Sequence, residues 1–259
     1  MRDIFYDNLR FYEFRRRAAA VLYPNRCTFC NELIPAEEYY CEDCRRNLPY
    51  VYGKLQPPEN VSRLIAICWY SRRAREAVLS LKYGGLVYPA DALAHMMSKK
   101  LLRDGTMADK TNKADVLAPV PSGFLSMRKR FFPVAKTICK RMSLRLDIPM
   151  DNVVGASDGK TEQKTLSEKS RRENAMKSFF VKENANIIGK RVMLIDDVCT
   201  TGSTISAIAG KLLEAGAADV SACVFAKTIQ CTHTDSGVLR LRIGNRCGGA
   251  SPLKFPILH

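Results

Sequence analysis

Apolar positions along this chain recur with two periods, and each change of period marks an element. The unbroken apolar run Leu64-Ile65-Ala66-Ile67-Cys68-Trp69-Tyr70 predicts a strand. Ala74, Val78, Leu79 and Leu81 then predict a helix, which Gly84-Gly85 stops just after Lys82-Tyr83. Leu93, Met96, Met97 and Leu101 recur at helical spacing and predict a second helix over 89–103. Residues 106–113 are a polar connection, and 115–121 is a short strand ending in prolines. A helix from about Pro133 to Leu146, a central strand at Met193–Ile195, a helix over 203–215 closed by Gly216 and a strand over 219–225 complete the series. Strands alternating with helices predict an α/β domain whose mostly parallel sheet is covered on both faces.

Outside this series the pattern is less regular. Residues 5–22 mix Phe5, Tyr6, Leu9, Phe11, Tyr12 and Phe14 with arginines and read as a helix ending at Tyr23-Pro24. Pro49 and Pro57-Pro58-Glu59-Asn60 read as a linker. Residues 151–175 are polar and contain glycine, and 160–174 lack an apolar face long enough to pack, which predicts a mobile flap. The tail from Cys231 to His259 carries Gly248-Gly249 and indicates no function.

Composition narrows the class. Apolar residues make up 46% and charged residues 26%, as expected for a soluble globular protein. No apolar run approaches the ~20 residues of a membrane span. The apolar stretch after Arg15-Arg16-Arg17 is shorter than a signal-peptide core, which predicts a cytoplasmic protein. A formal charge of +15 favours anionic partners such as nucleotides, pyrophosphate or nucleic acid, although the basic residues are scattered.

Two of the cysteine spacings carry chemistry. Cys27-x2-Cys30 and Cys41-x2-Cys44 are separated by ten residues, short enough for a hairpin to bring the pairs together. Four thiolates in tetrahedral array suit a structural Zn²⁺ and leave no open position for catalysis. A redox role would call for a pair at a helix start after a strand, and neither reads that way. Cys68, Cys139 and Cys223 read as core residues, and Cys199 as a small filler. His95, His233 and His259 offer no general base by position.

The most informative segment is Arg191 to Thr204. Apolar Val192-Met193-Leu194-Ile195 leads directly into Asp196-Asp197, and the turn Val198-Cys199-Thr200-Thr201-Gly202 opens a helix at Ser203-Thr204-Ile205. Backbone N–H groups and hydroxyls gathered at a helix N-terminus suit a phosphate. The carboxylates, at what reads as the solvent-facing end of the sheet, suit sugar hydroxyls or a hydrated metal ion. The turn is no P-loop, since no lysine follows Gly202.

Val192 to Thr204 resembles the phosphoribosyl-pyrophosphate motif of type I phosphoribosyltransferases. The resemblance implies that Asp196 and Asp197 hold the ribose 2′ and 3′ hydroxyls. It implies that Thr200, Thr201, Gly202, Ser203 and Thr204 wrap the 5′-phosphate. In the 6-oxopurine enzymes the position of Thr200 is acidic, so threonine argues against hypoxanthine-guanine salvage. Three further elements resemble the ComF-like branch, which joins an N-terminal four-cysteine zinc ribbon to a phosphoribosyltransferase domain. They are Lys82-Tyr83-Gly84-Gly85; Pro119-Val120-Pro121-Ser122 with Arg128-Lys129-Arg130; and Gln163, Leu166, Arg171, Asn174 and Phe179 of the flap.

The implied organisation is an N-terminal helix over 1–24, a zinc ribbon and linker over 25–60, a type I phosphoribosyltransferase-like domain over 61–230 and a tail over 231–259. The implied ligands are phosphoribosyl pyrophosphate with Mg²⁺, beside structural Zn²⁺ on Cys27, Cys30, Cys41 and Cys44. Among the arginines that suit a pyrophosphate leaving group, with Arg128 and Arg172, are Arg171 and Arg130 as candidate catalytic residues. Lys82 suits either the site or the end of its own helix. Where ComF-like proteins usually continue Gly-Phe-Asn-Gln, this chain has Phe131-Phe132-Pro133-Val134, which implies an altered acceptor pocket or weakened transfer. The implied activity is phosphoribosyl transfer to an unspecified acceptor. The alternatives are a non-catalytic phosphoribosyl sensor and a DNA-uptake factor partnered by single-stranded DNA or a competence helicase.

Overall fold

The computed structural model describes residues 24–83, 88–104, 113–121, 133–156, 179–229, 231–233 and 239–241, with helical positions 14, 17 and 18. The elements are α1 (Glu42–Asn47), β1 (Arg63–Trp69), α2 (Arg72–Tyr83), α3 (Tyr88–Arg103), β2 (Val116–Pro119), α4 (Val134–Leu146) and β3 (Val154–Ala156). They continue with β4 (Phe179–Val181), β5 (Arg191–Cys199), α5 (Ser203–Glu214), β6 (Asp219–Lys227), β7 (Cys231–His233) and β8 (Leu239–Leu241). Several expectations lie outside the described residues. These are most of the helix over 5–22, Gly84-Gly85, the basic loop with Arg128 and Arg130, Phe131-Phe132, the flap with Gln163, Arg171, Arg172 and Asn174, and the tail beyond 241.

Four strands form one sheet in the order β1-β6-β5-β2, and each neighbouring pair is parallel. Side-chain alternation divides the core. Met193 and Ile195 of β5, with Cys223 and Phe225 of β6, face α2, α3 and α4. Val192 and Leu194, with Val220, Ala222 and Val224, pack with α5 on the other face. Because both faces are covered, the strands read as continuous apolar runs rather than alternating ones. Cys68, Cys139 and Cys223 are fully buried, as expected.

Both outer edges of the sheet are covered by irregular chain. Along β1, Val51 N–H donates to Ile67 O (3.0 Å) and Trp69 N–H to Pro49 O (2.8 Å). Along β2, Leu117 N–H donates to Pro149 O (2.9 Å) and Asp151 N–H to Leu117 O (3.0 Å). These contacts satisfy backbone groups that an open edge would leave for another chain. The cysteine-bearing segment packs on the same domain. Phe29 stacks on Phe225 of β6 (centroids 6.2 Å apart), and Cys27, Tyr39, Tyr40 and Cys44 belong to the α2–α3–α4 core.

One strand is longer than its apolar pattern. β5 does not end at Ile195 but runs through both aspartates to Cys199, which pairs with Lys227. Hydrophobicity marks only the part covered on both faces, whereas backbone pairing lasts as long as β6 runs alongside.

Candidate functional site

The two adjacent aspartates differ in burial. Asp197 shares a face with Met193 and Ile195, the side on which α2 packs, and lies buried at 6% exposure. There Lys82 Nζ, near the end of α2, lies 2.6 Å from Asp197 Oδ2. Lys82 therefore reaches the carboxylate pair rather than ending its own helix. Asp196, half-buried, precedes Asp197 on the strand, and its carboxyl lies close enough to that of Asp197 for the two to interact directly. Each carboxylate also accepts a backbone N–H. Asp197 N–H donates to Asp196 Oδ1 and Val198 N–H to Asp197 Oδ1, both at 2.8 Å.

The expectation that both carboxylates face solvent is corrected for Asp197, which packing against α2 covers. Their electrostatics differ accordingly. Burial first, and then the charge of Asp197, push the Asp196 carboxyl well above the usual carboxylate range, against a smaller opposing influence of Lys82. A ligand offering hydroxyl donors or a cation favours the ionised form and relieves this cost.

The loop after β5 is shaped by Gly202, the residue preceding α5, at φ +87°. A side chain there would be strained in the left-handed region, and its Cβ would stand 3.0 Å from Pro58 Cβ. Thr200 and Thr201 are exposed, whereas Ser203 and Thr204 are half-buried. Thr201 Oγ1 lies 3.0 Å from Ser203 Oγ and accepts Ser203 N–H at 3.3 Å. The first turn of α5 presents N–H groups that have no partner within the helix, at the positive end of its dipole. Cys199 is buried beneath the loop at 2% exposure. Lys227, at the end of β6, donates to Thr200 O and to Thr228 O (3.2 Å). A cleft of about 260 Å³ flanks the loop, with Pro57, Pro58, Trp69, Thr201 and Lys227 in its walls.

The four predicted metal ligands come together. The Sγ atoms of Cys27, Cys30, Cys41 and Cys44 all lie within 4.8 Å of one another, and Cys30 and Cys41 are 3.6 Å apart. Tetrahedral Zn²⁺ with bonds of about 2.3 Å needs sulfurs about 3.8 Å apart. Donors surround the sulfurs: Cys41 N–H (3.3 Å) and Phe29 N–H (3.5 Å) to Cys27, Cys44 N–H (3.4 Å) to Cys41, and Arg73 Nη1 (3.5 Å) to Cys44. Burial alone would push the Cys27 thiol up, but the N–H groups of Cys41, Cys30 and Phe29 outweigh it and hold the thiol below its ordinary value. Burial pushes Cys30 up to about 11, and Cys44 higher still. The donor set fits a structural Zn²⁺, which supplies the charge that lets the remaining thiols ionise. The second cysteine pair opens a helix, since Cys41 caps α1, but among the described residues no strand precedes that helix. The Cys41 sulfur faces the other three, so the helix start serves the metal cluster.

Residues 108–242 match the phosphoribosyl transferase domain family, and residues 18–55 the double zinc ribbon domain. The chain belongs to the phosphoribosyl transferase domain family. It is 26% identical to Competence protein F of Haemophilus influenzae over 201 residues, covering 75% of this chain and 86% of that protein. It is 25% identical to the DNA utilization protein YhgH of Escherichia coli over 210 residues, covering 78% and 90%. Among solved structures it matches the purine phosphoribosyltransferase of Pyrococcus horikoshii with 16% identity, covering 63% and 77%, at a TM-score of 0.34.

Of the expected site, the phosphoribosyltransferase domain brings Asp196, Asp197, Thr200, Thr201, Gly202, Ser203 and Thr204 to the carboxyl end of its central strand. Arg130 and Arg171 lie outside the described residues. Lys227 and Pro58 were not legible as neighbours of the loop. Lys227 is recognised only through the pairing of Cys199 with Lys227, and Pro58 only through its approach to Gly202.

Proposed function

We propose that this chain binds phosphoribosyl pyrophosphate with Mg²⁺ and transfers the phosphoribosyl group to an acceptor. The observation that carries the reading is the continuity of the site. A carboxylate pair ends the central strand, and a hydroxyl-rich loop runs from it straight into the positive end of α5. Thr200 to Thr204 and the first-turn N–H groups of α5 receive the 5′-phosphate. Asp196 and Asp197 accept the ribose hydroxyls, and Lys82 holds Asp197 in place. Transfer forms a bond from the acceptor to the anomeric carbon as the bond to pyrophosphate breaks, with its electron pair leaving on the pyrophosphate oxygen.

Two adjacent carboxylates, one of them pushed well above the usual carboxylate range by burial and then by its neighbour's charge, are a donor set that suits a hydrated divalent cation, whose charge would favour the ionised form. Bound Mg²⁺ supplies neutralisation of the pyrophosphate charge. Arg130 and Arg171 are assigned to the same leaving group on sequence grounds. Catalysis is then positioning and charge stabilisation, and no side-chain nucleophile is needed.

Two other readings have specific support. Phe131-Phe132-Pro133-Val134 favours a sensor that keeps the binding and lacks turnover. The relatives named for competence and for DNA utilization favour a role in DNA uptake, with single-stranded DNA and a competence helicase as partners. Among the described residues no helix is long and apolar enough to cross a membrane, which is compatible with the cytoplasmic placement this role requires.

A thermal-shift series with phosphoribosyl pyrophosphate, ribose 5-phosphate and common nucleotides, each with Mg²⁺, tests binding. Pyrophosphate release tests turnover. Stabilisation by phosphoribosyl pyrophosphate is expected, and its absence would sink the reading; stabilisation without pyrophosphate release would select the sensor.

A further inference from the structure

A second concavity, of about 510 Å³, opens where α1, the chain after it, β1 and the end of α3 meet. None of its walls comes from β5 or the loop that follows it. Arg45 and Arg46 of α1 stand on one side, with Lys99, Lys100 and Arg103 of α3 on the other. Tyr50 and Tyr52 also line it, and the buried Val51, Ile67 and Met96 form its apolar part.

The charges are not cancelled internally. Glu42 takes both Arg45 and Arg46, and Asp104 takes Lys100 (3.1 Å). Two carboxylates thus face five cations, and Lys99 and Arg103 pair with no carboxylate among the described residues. The tyrosines are also unusual in their placement. Tyr52 is 86% exposed and its ring centroid stands 6.5 Å from that of Tyr50 with the planes at 61°, so most of its ring is open to solvent. Tyr50 is fixed from behind, its hydroxyl donating to Arg45 O (2.9 Å).

Cations on two sides suit a chain of phosphates, and an exposed aromatic ring suits an unpaired base. A duplex keeps its bases stacked and withheld from such a ring. A small inorganic anion leaves the apolar part and Tyr52 unused. The geometry points to a binding groove for single-stranded nucleic acid, with Tyr52 as the stacking platform and Lys99 and Arg103 as phosphate contacts. The groove stands independently of the phosphoribosyl site.

The test uses the full zinc-loaded chain and a fluorescent oligothymidylate of about fifteen nucleotides, titrated across a salt series. The wild type is expected to bind with an affinity that falls steeply as salt rises. Tyr52→Ala should weaken binding at least about fivefold, and Tyr52→Phe should retain it, since stacking needs the ring and not the hydroxyl. Lys99→Ala with Arg103→Ala should flatten the logarithmic salt slope by about 1.4, at about 0.7 per lost phosphate contact. All three positions lie on the surface of the groove, and unchanged zinc content and melting temperature confirm the fold. Three results would each overturn the proposal: no oligonucleotide binding at low salt, unchanged affinity in Tyr52→Ala, or equal competition by a duplex or by an acidic peptide.

Discussion

The four-thiol cluster and the aspartate pair both crowd like charge into a small volume, and they resolve it in opposite ways. Around the cysteines the protein supplies the compensation itself, through N–H groups of Phe29, Cys41 and Cys44 and the guanidinium of Arg73. Four inward-facing sulfurs leave no position for a substrate. At the end of β5 compensation is one-sided: Asp197 has Lys82, whereas Asp196 has a single backbone N–H and titrates high. The contrast separates a centre built to hold the fold from a site left in conflict until a ligand arrives.

The largest way to break the comparison is at the metal. Zinc held by four thiolates is worth roughly 10–16 kcal/mol of apparent binding free energy. Cys41→Ser, or chelation, is expected to unfold residues around the cluster. Because Phe29 covers Phe225, the effect should spread to the sheet domain and lower its melting temperature as well. A variant with normal zinc content and an unchanged melting curve would show the cluster to be dispensable.

The next effect falls on the buried ion pair. Asp197→Asn leaves the largely buried Lys82 ammonium without its partner and should cost about 3–5 kcal/mol. Denaturant unfolding measures it, and adding Lys82→Met should recover part of the loss. No recovery in the double variant would mean that the carboxylate supports the backbone of β5 rather than the lysine.

Asp196→Asn should behave in the opposite sense without ligand. A carboxyl whose folded pKa is raised loses stability as pH climbs from the ordinary carboxylate value towards the raised one. The amide removes that loss, so the variant should melt higher than wild type at neutral pH and equal it in acid. It should also lose the stabilisation by phosphoribosyl pyrophosphate, about 2.7 kcal/mol for a ligand at a hundredfold excess over its Kd. A variant that melts lower at neutral pH, or keeps the ligand shift, would contradict the site as drawn.

Asp115 provides the smallest effect and the sharpest control. Its carboxylate accepts Arg191 Nη2 (2.8 Å), Nε (2.9 Å) and backbone N–H (2.9 Å), and the Arg191 side chain is the main cause that holds its pKa down to about 2. Its folded pKa is depressed, so the stabilisation is full above the ordinary carboxylate value and disappears as pH falls through about 2. The pair is about one-third exposed, which limits Asp115→Asn to about 0.2–1 kcal/mol. Opposite pH trends for Asp115→Asn and Asp196→Asn, measured by thermal unfolding, would distinguish a structural carboxylate from a ligand-ready one.

Much of this protein is legible in local order alone. Contiguous runs such as Val192–Ile195 and Leu64–Trp69 announce strands, the periodic apolar positions of 93–101 announce a helix, and two C-x2-C pairs announce a metal cluster. The aspartates and the hydroxyl-rich turn sit side by side in sequence, so their chemistry is visible before the fold is known. Tertiary structure decided what those residues meet. The packing of α2 against β5 brought Lys82 to Asp197, and the β5–β6 register set Lys227 against Thr200. Packing of the zinc segment onto the sheet brought Arg45 and Tyr52 opposite Lys99 and Arg103. Periodicity reports neighbours within one element, whereas these contacts join residues dozens of positions apart, and only the register and layering of the sheet make them neighbours.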